Sequence, residues 1–288
     1  MKSIILFFCG IFYASSLALG QANGYYPDIL STYFFQMANA NPGYIPKEGI
    51  ADFNAGYKFR TGAFKDIATF SFSGARFFRT ENENTHTLRI LINNEQQGPF
   101  INTPRAYLNY AYELKVGEES FLYAGTAVGL AGIYYSASSA TASVMLPDGS
   151  LGLGIRYKSI SLGLSSYQLL NSEASPMLAR FRLARYYQSN FEAEKEYGND
   201  WKLKGYALYR LFPETTDELN VGGSALYSEA FIFGAMYRNL FGLGWFAGFY
   251  IDSGKDKLIL SFTYNSPVLS RVPGLQNSME IGLGFRVE

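Results

Sequence analysis

The sequence predicts an all-β protein: a transmembrane, antiparallel, up-and-down β-barrel of about 14 strands, with an N-terminal plug or strap. Three observations carry that prediction. Apolar and polar residues alternate with a period of two from Asp52 to the end of the chain. Tyr (23), Phe (24) and Gly (29) are abundant while the mean hydropathy is only −0.03, so apolar faces are offset by equally polar ones. The links between alternating segments are short and rich in turn residues, which suits meandering hairpins and leaves little room for crossover helices.

Taken in order, residues 1–20 read as a secretory signal: Lys2, an apolar run from Ile4 to Ala18, then the small residues Ala18 and Gly20, with cleavage just before Gln21. The run is too short for a membrane-spanning helix. Cys9 lies inside it, and Phe7 and Phe8 argue against lipoprotein processing. The mature chain therefore has no cysteine, which excludes disulfide staples and thiol chemistry. Its 24 basic and 24 acidic residues give no electrostatic case for a nucleic-acid partner.

Residues 21–50 form the expected plug or strap. The stretch from Tyr33 to Gly49, YFFQMANANPGYIPKEG, suits neither a helix nor a strand, and Pro42 and Pro46 oppose ladder pairing. Tyr33 and Phe34 are expected to pack inside the barrel mouth or lumen, with Asn39 and Asn41 supplying hydrogen bonds around Pro42. A periplasmic docking strap is the variant of this reading; a disordered leader competes with it.

Residues 51–288 form the expected barrel. In DFNAGYKFR, Phe53, Ala55, Tyr57 and Phe59 share one face, and Asp52, Asn54, Lys58 and Arg60 the other. The same alternation marks Arg105 to Lys115, Trp201 to Leu211, Glu218 to Ser228, Phe231 to Arg238, Lys257 to Tyr264 and Met279 to Val287. Each is close to the roughly ten residues that cross a bilayer at a tilt. Turns are signalled by PETTDE after Phe212, DSGKD after Ile251 and NSPVLSRVPGLQNS from Asn265. The uncharged stretch from Ser120 to Pro147 could be one membrane helix, but its glycines and hydroxyls favour a strand followed by a Ser/Ala-rich turn.

Alternation alone also suits a soluble β-sandwich or barrel. Two features favour the membrane. Rings sit near segment ends, where interfacial girdles lie: Tyr57, Phe59, Tyr110, Tyr112, Trp201, Trp245, Phe249, Tyr264 and Phe285. Charges occupy the opposite faces in mid-strand, as a hydrated or polar-plugged lumen requires. In hydrocarbon every backbone N–H and C=O must be paired, and strands achieve that only by closing.

Candidate chemistry is sparse. A Ser nucleophile would need His86, the lone His, which is expected in a polar loop beside Glu81 and Glu83 with no motif aligning a Ser. Glu81, Glu83 and Asn84 could be imagined around Ca²⁺, but their spacing matches no recognised loop. GLGIRYKS carries strand glycines, since no helix follows to make a phosphate cradle. No catalytic, metal or cofactor site is assigned.

YFFQMANANPGY, FSFSGARFF, the stretch from Leu88 to Leu114 with Gly98-Pro99 leading into Tyr110–Tyr112, and NDWKLKGYALYR together resemble the PorP/SprF family of outer-membrane proteins associated with type IX secretion and gliding in Bacteroidetes-type bacteria. The resemblance spans most of the mature chain. The departures are Gly43 in place of the usual Ala, no Trp around Arg60 to Phe64, a shorter middle near Leu146 to Tyr157, and Val287-Glu288 beyond Phe285. It implies a non-enzymatic integral outer-membrane protein in contact with lipid. Its implied partners are an exported, adhesin-like cargo and other secretion components, whose export or surface attachment it assists. The alternative is a channel for hydrophobic small molecules of the fatty-acid-transporter type, where an N-terminal hatch also blocks a fourteen-strand barrel.

Overall fold

The computed structural model describes residues 24–288 except 138, 139, 177–179, 199, 255 and 273. The expected signal, 1–20, lies outside the described residues. Alternation becomes sixteen strands: β1 Ala51–Arg60, β2 Ile67–Arg79, β3 Thr85–Gln97, β4 Ile101–Gly117, β5 Ser120–Ala137, β6 Ala140–Tyr157, β7 Ile160–Tyr167, β8 Glu173–Ala174, β9 Phe181–Arg182, β10 Tyr186–Tyr197, β11 Trp201–Leu211, β12 Glu218–Tyr227, β13 Phe231–Arg238, β14 Gly242–Ser253, β15 Asp256–Ser266 and β16 Ser278–Val287. All but β8 and β9 join one closed antiparallel barrel, so fourteen strands make the wall, and β1 closes it against β16 from Ala51↔Val287 to Arg60↔Ser278. Strands β8 and β9 pair with each other outside the wall.

The two faces separate as the period of two requires. Outward positions carry Phe53, Tyr57, Leu108, Val128, Leu153, Leu164, Phe233 and Leu283, all exposed. Inward positions bury Lys58, Arg89, Glu95, Arg105, Glu113, Arg156, Arg210, Glu218, Arg238 and Glu280. The outward rings fall near strand ends, in two belts. Tyr57 and Phe59 (6.0 Å) and Trp245 and Tyr264 (6.4 Å) mark one end; Trp201 and Tyr227 (4.7 Å) and Phe231 and Phe249 (5.3 Å) mark the other. Leu164→Arg, beside Leu153 on this face, is expected to cost ~2–4 kcal/mol in lipid, read as a lower urea midpoint of the barrel refolded into vesicles.

The ends of the barrel differ. On the rim where β1 begins and β16 ends, strands are joined by tight connections at 118–119, 158–159 and 228–230; the opposite rim carries long connections between Tyr167 and Tyr186 and between Ser266 and Ser278. Short turns mark the periplasmic side of such barrels and long loops the extracellular side.

Ahead of β1, the chain runs through the lumen from the loop-rich rim to the turn-rich rim. Tyr25 bridges Leu183 beside β9 at the first; Ile50 N donates to Val287 O (2.7 Å) at the second. Between them lies a 3-10 helix, Tyr33–Asn39, broken by Gln36 at φ −128°, ψ 52°. The sequence pattern did not signal this helix, because its buried rings are dictated by the wall around them rather than by a helical period.

Two local expectations are corrected. The uncharged stretch from Ser120 to Pro147 opens as a strand, as the sequence favours over a membrane helix, but the turn expected after it is the first half of β6, paired with β5 from Ser120↔Tyr157 to Ala137↔Ala140. Its Ser/Ala-rich residues mostly continue the ladder, and 138 and 139 lie outside the described residues. His86 lies in β3 rather than in a loop, because the β2–β3 turn closes at Thr80 N to Asn84 O (2.8 Å) and pairing resumes at Thr85.

Candidate functional site

The strap and the lumen wall around it form the candidate site. Wall side chains grip the strap mainly by its backbone carbonyls. From the loop-rich rim downward, Arg210 Nη2 donates to Pro27 O (2.6 Å), Asn109 Nδ2 to Pro42 O (2.9 Å), Arg89 Nη2 to Tyr44 O (3.1 Å) and Arg156 Nη1 to Ile45 O (2.9 Å). Near the periplasmic rim Arg79 reaches Gly49 O (2.8 Å) and Lys47 O (2.9 Å). A guanidinium presents several donors in a fixed fork, so one arginine can satisfy a carboxylate and a carbonyl together.

The upper part of the strap is held by ions. Asp28 accepts from Lys58 Nζ (2.7 Å) and lies 3.3 Å from Arg238 Nη2. Arg238 also meets Glu218 (2.6 Å), donates to Ser31 Oγ (3.0 Å), and stacks 4.1 Å over the Phe241 ring. Arg210 completes the cluster on Glu218 (2.7 Å). The Lys58 ammonium and the Arg238 guanidinium together face the Asp28 carboxylate. Glu280 of β16 accepts from Ser31 N (2.8 Å) and Thr32 N (3.3 Å).

The expected strap residues fall as follows. Tyr33 and Phe34 are buried, Phe34 stacking 4.2 Å from Tyr206 and packing 4.9 Å from Phe246. Asn39 Nδ2 donates to Gln36 Oε1 (2.9 Å) and Ser71 Oγ (3.1 Å), while its carbonyl accepts from Tyr167 OH (3.0 Å). Asn41, fully buried, donates to Asn190 Oδ1 (3.0 Å) and Leu153 O (3.2 Å) and accepts from Gly43 N (2.9 Å).

Asn41, Pro42 and Gly43 lie against a patch of wall without side chains. A Cβ on Gly152 would sit 2.1 Å from Asn41 Oδ1, one on Gly163 2.2 Å from Asn41 Nδ2, and one on Gly125 2.4 Å from Pro42 O. Gly125 and Gly152 are direct partners across β5 and β6. These strand glycines are where the strap's backbone approaches the wall.

The strap fills the upper lumen more completely than the lower. A cavity of about 60 Å³ remains above Gln36 and Ala38, bordered by Arg105, Tyr107, Asp148 and Tyr186. Below them a vestibule of about 450 Å³ is lined by Tyr44, Asp52, Arg89, Glu192, Lys204 and Tyr250. Both linings mix charge with rings.

His86 and Glu83 are elsewhere. His86 Nδ1 lies 2.8 Å from Tyr110 OH on the exposed side of the wall. Glu83 pairs with Lys115, and Asn84 Oδ1 accepts from Lys115 N (2.9 Å), so the β2–β3 turn is tied to β4. Among the described residues no group of three or more His, Cys, Asp or Glu is placed to hold a metal ion. Arg210, Glu218, Arg238 and Glu280 were not singled out from sequence, because a lumen charge that grips a strap and one that meets water look alike in an alternating strand; Asp28 of the strap was missed because nothing local to it names its wall partners.

Several solved barrels resemble this one. The Ralstonia pickettii toluene transporter TbuX aligns over 88% of this chain and 93% of its own, with TM-score 0.56 and 9% identity. The Pseudomonas putida toluene transporter TodX aligns over 86% and 92%, with TM-score 0.55 and 10% identity. A Pseudomonas aeruginosa FadL homologue also covers 86% and 92%, at 0.53 and 11%. At such identities the likeness is one of fold. No curated protein matches the chain. Residues 22–285 match the PorP/SprF family, described as type IX secretion system membrane protein.

Proposed function

Because the chain belongs to the PorP/SprF family of type IX secretion system membrane proteins, we propose that it is a non-enzymatic outer-membrane partner of that system, assisting the export or surface attachment of an adhesin-like cargo. The outward apolar face meets lipid, and the rims meet cargo and other secretion components. The observation that carries this reading beyond the family is the gripped strap. A lumen crossed end to end by its own chain, with paired charges along the wall, suits a docking platform better than a conduit for apolar molecules. Small-molecule permeation of the hydrophobic type would call for an apolar lining, whereas the vestibule presents Asp52, Arg89, Glu192 and Lys204.

The test is affinity capture of the tagged barrel from outer membranes in mild detergent, combined with a surface assay in cells lacking it. The expected result is co-recovery of an exported surface protein that fails to reach or stay on the surface without the barrel. Recovery of the barrel alone, with surface proteins undisturbed and uptake of an apolar solute lost on deleting Tyr33 to Gly49, would overturn the reading in favour of a channel.

A further inference from the structure

Lys58 and Glu280 face each other across the seam that closes the wall, as directly opposed partners of β1 and β16. Side chains in such positions have Cβ atoms about 4.5–5.5 Å apart, within easy reach of an ion pair. Both turn to the strap instead. Lys58 takes Asp28 (2.7 Å), and Glu280 takes Ser31 N (2.8 and 2.9 Å to its two oxygens) and the Thr32 N–H and hydroxyl (3.3 Å each). The strap's upper arm therefore stands between two opposite charges that could satisfy each other.

The other charges around this arm each keep an ion partner within the wall. Arg210 and Arg238 share Glu218 (2.7 and 2.6 Å), and Arg105 pairs with Glu95 (2.5 Å). Lifting the arm would take Pro27 O from Arg210 and Asp28 and Ser31 Oγ from Arg238 but leave both on Glu218; it would take from Lys58 its Asp28 carboxylate and leave Glu280 with Asn265 Nδ2 at 3.4 Å. A buried charge stripped of its partner is strongly destabilising, so an arm anchored this way could leave only if the two found each other. The arm is also built to part from the lower strap. Its beginning lies at the loop-rich rim beside Leu183, and Gln36 interrupts the 3-10 helix below it with non-helical dihedrals.

We propose that the arm from Pro27 to Thr32 is a releasable latch on the barrel seam, and that Lys58 and Glu280 exchange partners when it opens. Docked, they hold Asp28 and the Ser31–Thr32 backbone; open, they hold each other. The lower strap, gripped by Arg89 and Arg156 at Tyr44 and Ile45, stays seated. The element is bistable because both states leave its two charges paired.

The one cysteine of the sequence is Cys9, so in the barrel produced from Gln21 onward Leu30→Cys gives a single reporter on the arm, and its reaction with a charged methanethiosulfonate reagent in that purified protein reads opening. Asp28→Asn removes a docked-state contact alone and is expected to speed labelling about tenfold, the effect of ~1.4 kcal/mol. Adding Lys58→Met is expected to slow labelling back towards the parent, because the open state then strands Glu280; Lys58→Arg in its place is expected to keep the fast rate. Heat-modifiable gel migration confirms that each variant is folded. A purely structural Lys58 would make Lys58→Met additive with Asp28→Asn. Faster or unchanged labelling in that double variant, or no response to Asp28→Asn, overturns the latch.

Discussion

Arg238→Met is expected to lower the thermal or urea midpoint of the folded barrel more than any other single change in its wall. Arg238 is 2% exposed at its side chain and holds Glu218, Asp28, Ser31 and Asn220 together. Methionine fills much of the same space but leaves the two carboxylates with one neutralising group fewer each. Removing one member of a buried ion cluster costs about 3–5 kcal/mol, largely the desolvation of what is left behind. The measurement is the heat-modifiable gel shift across a temperature or urea series. Glu218→Met on the same background should recover part of the loss, because it removes a charge that Arg238 no longer balances; Arg210 would then limit the recovery. A midpoint within experimental scatter of the parent would show that water, not Arg238, solvates Glu218.

Gly152→Leu is expected to unseat the strap without breaching the wall. Its Cβ alone would come within 2.1 Å of Asn41 Oδ1, 2.8 Å of Pro42 Cδ and 2.9 Å of Gly43 N. Two of these atoms belong to the main chain or a proline ring and cannot swing aside. Overpacking of this kind costs about 3 kcal/mol, and each ~1.4 kcal/mol taken from the seat raises the unseated population about tenfold. In planar bilayers the parent is expected to conduct poorly and the variant well, because fourteen strands enclose more space than their own side chains fill. Gly205→Leu is the control: Gly205 lies on the outward face of β11, in register with Gly223, and a Cβ there meets nothing within 4 Å. Equal conductance in the parent and Gly152→Leu would mean that the strap does not obstruct the lumen.

The wall was legible in the sequence because strands write their orientation in a period of two. Phe53, Asn54, Ala55, Tyr57 and Lys58 announce which face each takes without reference to any other part of the chain. The rings at Trp201, Trp245 and Phe249 marked the belts for the same reason. The seat of the strap was legible only by residue type. Tyr33, Phe34, Asn39 and Asn41 stand out as rings and amides in a stretch that cannot form a ladder, but nothing local says that Asn41 meets Asn190, or that Gly125, Gly152 and Gly163 clear the ground for it. Those contacts join residues more than eighty positions apart. Their location is set by barrel register, which single-strand patterning does not contain. The same limit applies to Lys58 and Glu280: each reads as an ordinary inward charge, and only closure of the first strand on the last makes them neighbours.

One consequence of the strap's course concerns how such a barrel can come to exist. From Tyr25 onward the polypeptide traverses the cylinder on the inside before it lays down the first stave, so the strap and the first stave start from opposite mouths. A finished tube would have to be re-entered like a needle's eye. Staves that wrap around a core already in position avoid that, with the core as mandrel.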